Sequence, residues 1–395
     1  MIRGFAVRDG CLCVGGLSLH QISALAGGAP FFAYDRALIA GRVAELRRHL
    51  PAWVGISYSL KANAMPALVQ LMAGLVDGLD VSSIEELRRA LSAGARREGI
   101  HFSGPGKGAD EIAAAVAAGI TTGVESPAQL AAVLAAPAAG RRRLLLRVNP
   151  DFSVGRSGMR MGGGPSPFGM DAETIPALLE AIDPARAEVA GLHVFWGSQN
   201  LDAASIVEAW RGAVALALRL GRGAALHLQL GAGLGIPYSE RQAPLDLAAV
   251  GAGLDEILRE PRARRLAITL EMGRFLVGEA GLYVCRVLER KQSHGRVLLV
   301  TDGGMHHHLA ATGNFGLARL ASFPLAIGNR ADAEAEEEVT IVGRLCTPLD
   351  RFTERAALPR AMPGDFVVVF QSGAYGCSAS PGDFISHPPA HELLL

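Results

Sequence analysis

From Phe31 to Glu271 the chain alternates short apolar runs with longer Ala-, Leu- and Arg-rich runs, and this alternation constrains the fold most. Phe31 to Tyr34 precedes a helical stretch at 36–50, Trp53 to Ser59 precedes 66–76, and Gly99 to Phe102 precedes 109–118. Further strand candidates are Arg143 to Val148, Glu188 to Phe195, Ala225 to Leu230 and Leu266 to Glu271. Strands that alternate with helices imply parallel βα units, not a sandwich. After about residue 275 the pattern changes. Gly281 to Gln292, Arg296 to Thr301, Glu337 to Gly343 and Asp365 to Gln371 read as strands with few helices between them. The expectation is an α/β chain: a (β/α)₈ barrel over 29–274, and a mainly β domain made of 1–28 with 275–395. Phe5-Ala6-Val7 and Cys11-Leu12-Cys13-Val14 would be short strands of that second domain, and Gly162 to Pro167 a loop insert.

At 395 residues the chain is long enough for a large barrel plus a second domain. Its net charge is zero and it has no basic block, which argues against nucleic acid or an anionic membrane as partner. Half the residues are hydrophobic, but charges and glycines interrupt them every few positions, so no run is long enough to span a bilayer. The start, Met1-Ile2-Arg3-Gly4-Phe5, lacks a signal-peptide core. The five cysteines are odd in number and have neither disulfide nor zinc spacing, so a reduced cytoplasmic setting is expected.

Lys61 closes the strand-like run Ser57-Tyr58-Ser59-Leu60 and is followed by Ala62-Asn63-Ala64-Met65-Pro66. In a βα barrel the strand ends carry the chemistry. An amine held there can lose its proton by desolvation and attack a carbonyl to form a Schiff base. The plainer reading is a surface lysine, where most lysines sit. Lysine is scarce here, however: Lys61, Lys107 and Lys291 are all the chain has.

Gly231-Ala232-Gly233-Leu234-Gly235 follows an apolar strand, and its bare amides suit a phosphate, or simply a tight turn. A dinucleotide fingerprint is the minor reading, since the run lacks the proper third glycine and continues into Ile236-Pro237 instead of a helix. Glu271 ends the apolar strand Leu266 to Leu270, where a carboxylate is costly without a partner. Arg274 is one candidate partner. In His306-His307-His308, adjacent strand residues would point to opposite faces, so no metal site is expected.

Taken in order, these segments resemble the fold-type III pyridoxal-phosphate decarboxylases, the group of diaminopimelate and ornithine decarboxylases. The resemblance runs through Ser57 to Asn63, Gly78-Leu79-Asp80-Val81-Ser82-Ser83, Leu146-Arg147-Val148-Asn149-Pro150 and Gly191 to Gln199. It continues through Gly231 to Gly235, Glu271-Met272-Gly273-Arg274, Cys346-Thr347-Pro348-Leu349-Asp350 and Gly373-Ala374-Tyr375, covering roughly residues 30 to 380. It implies an alanine-racemase-like barrel, a C-terminal β-sandwich or β-barrel domain, and pyridoxal 5′-phosphate as cofactor. By resemblance, Lys61 holds the cofactor, Glu271 faces the pyridine nitrogen, and Asp80, Arg147 and Phe195 surround the ring. Ser198, Gly233, Gly273, Arg274 and Tyr375 lie around the phosphate side, with His193 a supporting barrel residue. Cys346 protonates the carbanion across a homodimer interface, and Tyr375 reaches across it as well. An acid opposite the ring nitrogen favours decarboxylation over racemisation, because racemases of this barrel type set an arginine there.

Two departures stand out, and the second bears on substrate. Phe195 stands where related proteins put a stacking histidine. Ala310 and Ala311 stand where diaminopimelate decarboxylases carry a carboxylate clamp. The stretch His306 to Gly316 is similar to a subgroup that includes glutamyl-carrier-protein decarboxylases and those encoded beside exosortase systems. This implies an amino-acid substrate with an extended or carrier-tethered far end. Diaminopimelate decarboxylation is the main alternative; racemisation and non-catalytic cofactor binding are the others.

Overall fold

A computed structural model describes residues 4–152, 159–160, 164–221, 226–239, 241–314 and 323–395. Gly162 and Gly163 of the expected insert, Ala225 of an expected strand, and Phe315 and Gly316 lie outside the described residues. The chain divides into two compact units: Val43–Ile236 with Pro244–Phe275, and Met1–Arg42 with Pro237–Ala243 and Leu276–Leu395.

The first unit is a closed barrel of eight parallel strands. They are β1 (Gly55–Ser59), β2 (Gly78–Val81), β3 (Ile100–Phe102), β4 (Thr121–Val124), β5 (Arg142–Asn149), β6 (Ala187–Val194), β7 (His227–Gly231) and β8 (Ala267–Met272). Each pairs with the next in parallel, and β8 pairs with β1 to close the ring. Strand residues are almost uniformly buried, as expected where helices cover the outside and side chains fill the inside. The helices begin at well-made caps. Ser83 and Ser126 each accept from a backbone amide three residues on at 3.2 Å, and Pro66 and Pro127 start their helices with φ already fixed. Such caps, worth about 1 kcal/mol each, keep the strand-to-helix turns short, and those turns carry the site.

Phe31–Tyr34, expected to open the barrel, belongs to the other unit. It pairs antiparallel with Gly281–Ser293 and parallel with His391–Leu394. Its four residues are all buried, and a short continuous apolar run carries no signal of which sheet it joins. The barrel is completed instead by β2 and β4, whose Asp80 and Thr121-Thr122-Gly123 dilute the apolar pattern.

In the second unit, one sheet runs in the order Leu325–Ile327, Phe366–Val369, Gly281–Ser293, Arg296–Thr301, Glu337–Val342, Arg351–Leu358. A three-stranded N-terminal sheet, Ala6–Arg8, Cys11–Val14 and Leu17–Ser18, contributes Leu12 and Val14 to a core shared with Phe31, Leu282, Val284 and Phe366.

Candidate active site

Lys61 sits in a single 3₁₀ turn, Leu60–Ala62, directly after β1. Leu60 and Ala62 are fully buried, which turns the intervening Lys61 side chain upward; it is 39% exposed. The turn is pinned on its far side. The Tyr58 hydroxyl donates to the Asn63 carbonyl at 2.8 Å, and the Met65 amide donates to Asn63 Oδ1 at 3.0 Å. Gly273 makes room for it, since a Cβ there would stand 2.6 Å from that of Ala62.

Register between β8 and β1 sets Glu271 beside Ser57 and brings its carboxylate to Lys61. Lys61 Nζ lies 3.2 Å from Glu271 Oε1, and the Ser59 hydroxyl donates to the same oxygen at 2.9 Å. Burial alone would raise the Glu271 carboxyl, but the Lys61 ammonium and the His193 ring outweigh it and hold the value well below the usual range. Glu271 is therefore a buried anion with a cation above it.

Beneath Glu271 lies a further polar layer. His193, on β6, places Nε2 2.9 Å from Glu271 Oε2, though the ring is not aligned for a hydrogen bond. Burial drives His193 down to about 4, so the ring is neutral. Asp80, on β2, accepts from Ser57 and, at 2.8 Å, from Gln229, and His101 Nδ1 lies 3.0 Å away. Burial and the nearby Glu271 charge raise the Asp80 carboxyl.

Phe195 and Trp196 follow β6. The Phe195 ring centroid is 4.9 Å from Lys61 Nζ. Two glycines admit this pair: a Cβ at Gly231 would stand 2.5 Å from the Phe195 ring, and one at Gly233 2.3 Å from Trp196. Gly233 also has φ +76°, a conformation glycine adopts at no steric cost. Trp196 Nε1 donates to the Gly231 carbonyl at 2.9 Å, tying the two loops together. Ser198 is half-buried and pairs through its backbone with Met159. Arg274 is buried just after β8.

Arg147 is engaged by a partner invisible in the sequence. Its NH1 group makes two contacts of 3.0 Å with the Glu125 carboxylate, and its guanidinium lies 4.8 Å from the Phe168 ring centre. Lys107 joins them, 4.0 Å from Glu125 and donating to the Gly104 carbonyl at 2.5 Å. Burial lowers Lys107 to about 8, with Glu125 opposing and Arg147 adding.

The second unit holds Cys346 and Tyr375. Cys346 is exposed on the turn between Val342 and Arg351. That turn is organised by buried Asp350, which accepts from the Met305 amide at 2.6 Å and the Leu345 amide at 2.9 Å. Gly304 and Gly343 leave room for this carboxylate; a Cβ at either would lie 2.4 or 2.1 Å from it. Tyr375 is half-buried with φ +54°, a left-handed conformation uncommon for a residue with a side chain. The histidine run forms a turn, not the expected strand, and its rings serve separate partners. His307 contacts the Tyr283 hydroxyl at 3.1 Å and the Pro388 carbonyl at 2.8 Å, while His308 contacts Ser372 at 3.0 Å. Among the described residues no group of His, Cys, Asp or Glu is placed to hold a metal ion.

The structure thus brings Lys61, Glu271, Phe195, Gly273 and the Asp80 layer together at one end of the barrel. Sequence reasoning missed Ser59, Ser57, His101, Gln229 and the Glu125–Lys107 pair. Only the serines carried a signal, since Ser57 and Ser59 are two apart on a strand and share a face.

Residues 36–278 match the family described as pyridoxal-dependent decarboxylase, pyridoxal binding domain. Over 378 residues the chain is 36% identical to the L-glutamyl-[BtrI acyl-carrier protein] decarboxylase of Niallia circulans, covering 92% of this chain and 88% of that protein. It is 31% identical to the diaminopimelate decarboxylase of Thermoplasma acidophilum, covering 97% and 91%. The crystal structure of diaminopimelate decarboxylase from Helicobacter pylori complexed with L-lysine superposes with a TM-score of 0.82 at 28% identity, covering 95% and 94%.

Proposed function

This chain belongs to the pyridoxal-dependent decarboxylases, and we propose that it binds pyridoxal 5′-phosphate at Lys61 and removes the α-carboxylate of an amino acid with an extended or carrier-tethered far end. The observation that carries the reading is the pairing of Lys61 with Glu271, an amine and a buried anion at the end of adjacent barrel strands.

The residues present fit the cofactor. A primary amine stands partly exposed at the strand end, and Oε2 of Glu271 is buried without a hydrogen-bond partner among the described residues. Glycines at 231 and 233 let the Phe195 and Trp196 side chains close against the neighbouring loop. Lys61 would hold the cofactor covalently, and Glu271 would keep a proton on the ring nitrogen. Phe195 would cover a ring face without titrating. Ser198, Gly233, Gly273 and Arg274 would surround the phosphate, with Asp80 and Arg147 supporting the ring side from below and beside. When bound, the cofactor supplies an electron sink for the pair released with carbon dioxide.

Glu271 serves this chemistry because its site keeps it ionised, so a proton placed on a ring nitrogen stays there. Cys346 is exposed on a turn fixed by Asp350 and would return a proton from Sγ to the α carbon. We place it and Tyr375 at a partner's site in a homodimer, which makes each site depend on two chains. For the substrate, the turn Ala310–Thr312 offers no guanidinium; Ala310 and Ala311 are buried in the second unit, so they supply neither charge nor surface.

The test is chemical trapping with product analysis. The purified protein should be yellow, and borohydride should fix the cofactor to Lys61; Lys61→Ala should lose the adduct. Carbon dioxide release should then be assayed with free diacids, basic amino acids and carrier-bound aminoacyl groups. Labelling at Lys107 or Lys291, or release from none of these substrates, would overturn the reading.

A further inference from the structure

Four buried polar atoms inside the barrel have no hydrogen-bond partner among the described residues: Glu271 Oε2, both ring nitrogens of His193, and His101 Nε2. They stand in a file. His193 Nε2 is 2.9 Å from Glu271 Oε2. The His193 and His101 rings meet edge-on, with centroids 5.0 Å apart at 89°. His101 Nδ1 is 3.0 Å from Asp80 Oδ1, and Ser57 and Gln229 donate to the same carboxylate. Ser57, His101 and Gln229 also line a cavity of about 180 Å³ with Gly78, Thr121 and Thr269. Gly78 and Thr121 begin β2 and β4, so this cavity lies at the N-terminal face of the barrel, opposite Lys61. Its rim residues Arg96, Glu98 and Arg143 are exposed, which opens it to solvent.

Barrel interiors of this kind are ordinarily filled by branched apolar side chains, and buried polar atoms are ordinarily satisfied. A line of titratable groups with unmet hydrogen-bonding capacity is costly to keep. This one runs from a solvent-open cavity to the carboxylate under Lys61. We propose that Asp80, His101 and His193 form a proton relay that connects Glu271 to solvent through the N-terminal face of the barrel. A proton taken up by the Asp80 carboxylate passes to Nδ1 of His101 as Nε2 of that ring releases its own. His193 gains it at Nδ1 and, once its ring turns to align Nε2 with Glu271 Oε2, gives one to that oxygen. Each ring gains one proton and loses one, no electrons move, and the reverse transfer uses the same atoms.

The surrounding charges set where the proton rests: Asp80 is raised and Glu271 is held low, so it rests at the Asp80 end and its return from Glu271 is the favoured direction. Burial, with the Glu271 charge, raises Asp80, while burial holds His193 and His227 near 4, so the rings rest neutral. Lys61 bears on Glu271 from the mouth, and Arg147 and His101 bear on His193. The purpose of the relay rests on the proposed role of Glu271: it lets that group equilibrate from behind while the cofactor fills the mouth.

Full-length protein carrying ¹⁵N-histidine tests this, with and without pyridoxal phosphate. Exchange of the His193 ring proton with solvent is read by NMR, with the signal assigned by its loss in His193→Gln. Exchange should slow by roughly tenfold or more in both His101→Phe and His101→Gln. The glutamine keeps a polar contact to Asp80 but cannot shift a proton between two ring atoms, so it carries the test if the phenylalanine variant does not fold. Adding the cofactor to the unaltered protein should leave the exchange rate unchanged. Unchanged exchange in His101→Gln, or exchange blocked by cofactor in the unaltered protein, would refute the relay. Because exchange is also read without cofactor, full turnover by Glu271→Gln would defeat the proposed function while leaving this result standing.

Discussion

Lys61 and Glu271 meet through a single oxygen: Oε1 takes the Lys61 ammonium at 3.2 Å and the Ser59 hydroxyl at 2.9 Å, while Oε2 is turned toward His193. One oxygen of the carboxylate thus holds Lys61, and the other faces the polar layer beneath. The division of labour makes the two residues separable by mutation.

Glu271→Gln should therefore still bind pyridoxal phosphate, because Lys61 is intact, but its turnover should fall on the order of a hundredfold, the loss typical of removing one preorganised electrostatic group. The cofactor absorbance should also shift, since a neutral amide does not favour a protonated ring nitrogen. Steady-state rates and a spectral titration on one preparation decide it. Full turnover in the variant would reduce Glu271 to a structural partner of Lys61.

Lys61 and Glu271 were each legible in the sequence as a lone charge at the end of an apolar run, but their pairing was not, and Arg274 was the partner considered for Glu271. The layer beneath them was legible only in part: Asp80 and His193 entered through the motif resemblance, whereas His101 and Gln229 did not. His101 and His193 each interrupt an apolar strand once, and a single histidine says nothing about which strand it will face across a barrel. Arg147 shows the same limit. Its motif is local, but its partner Glu125 lies 22 residues away on a strand end with no signal of its own. Phe31–Tyr34 was misplaced for a related reason: four buried residues in a row have no polar face to fix their sheet. Cys346 was legible only through the ordered motifs, whereas Asp350, which shapes its turn, acts through backbone amides that sequence patterns do not display.

Lys107 gives a stability prediction with a definite sign. Its value falls from 10.5 to about 8 on folding, so between those limits the unfolded chain binds more protons than the folded one. Stability contributed by this group must rise as pH climbs from about 8 toward 10.5, by at most about 3 kcal/mol. Buried Cys285 and Tyr283, whose values burial raises, pull the other way, so the comparison must be between proteins. Lys107→Met should remove the Lys107 component, leaving the variant with the smaller gain between pH 8 and 10. Denaturant unfolding at both values checks this, and equal gains in the two proteins would show that Lys107 is not desolvated.

Assembly can be tested with two inactive chains. Lys61→Ala lacks the amine of the barrel, and Cys346→Ala lacks the thiol of the second unit. If each site combines one barrel with the partner subunit's Cys346, a mixed dimer regains one complete site. Random exchange makes about half the dimers mixed, each with one good site of two, so activity should return to roughly a quarter of the unaltered protein. Mixing must be verified by mass or by differential tagging. Complete exchange without recovery would mean that one chain builds the whole site.

Substrate choice turns on what the Ala310–Thr312 turn lacks. A free diacid such as meso-diaminopimelate needs a fork of donors for its distal carboxylate, and no guanidinium stands at Ala310 or Ala311. A hydrogen bond to a charged group contributes about 1.5–3 kcal/mol, so its absence should lower kcat/KM by roughly tenfold or more. A carrier-tethered glutamyl group has no free distal carboxylate to satisfy, and the 36% identical relative is a decarboxylase of that kind. Both substrates should be compared on one preparation by kcat/KM, because that ratio reports stabilisation of the transition state relative to free enzyme and substrate. Installing Ala311→Arg would be a poor converse test, since position 311 is only 4% exposed and the larger side chain would disrupt the turn. The direct contest is cleaner: the tethered substrate should win by at least that margin, and efficient turnover of free diaminopimelate would return the chain to the diaminopimelate reading.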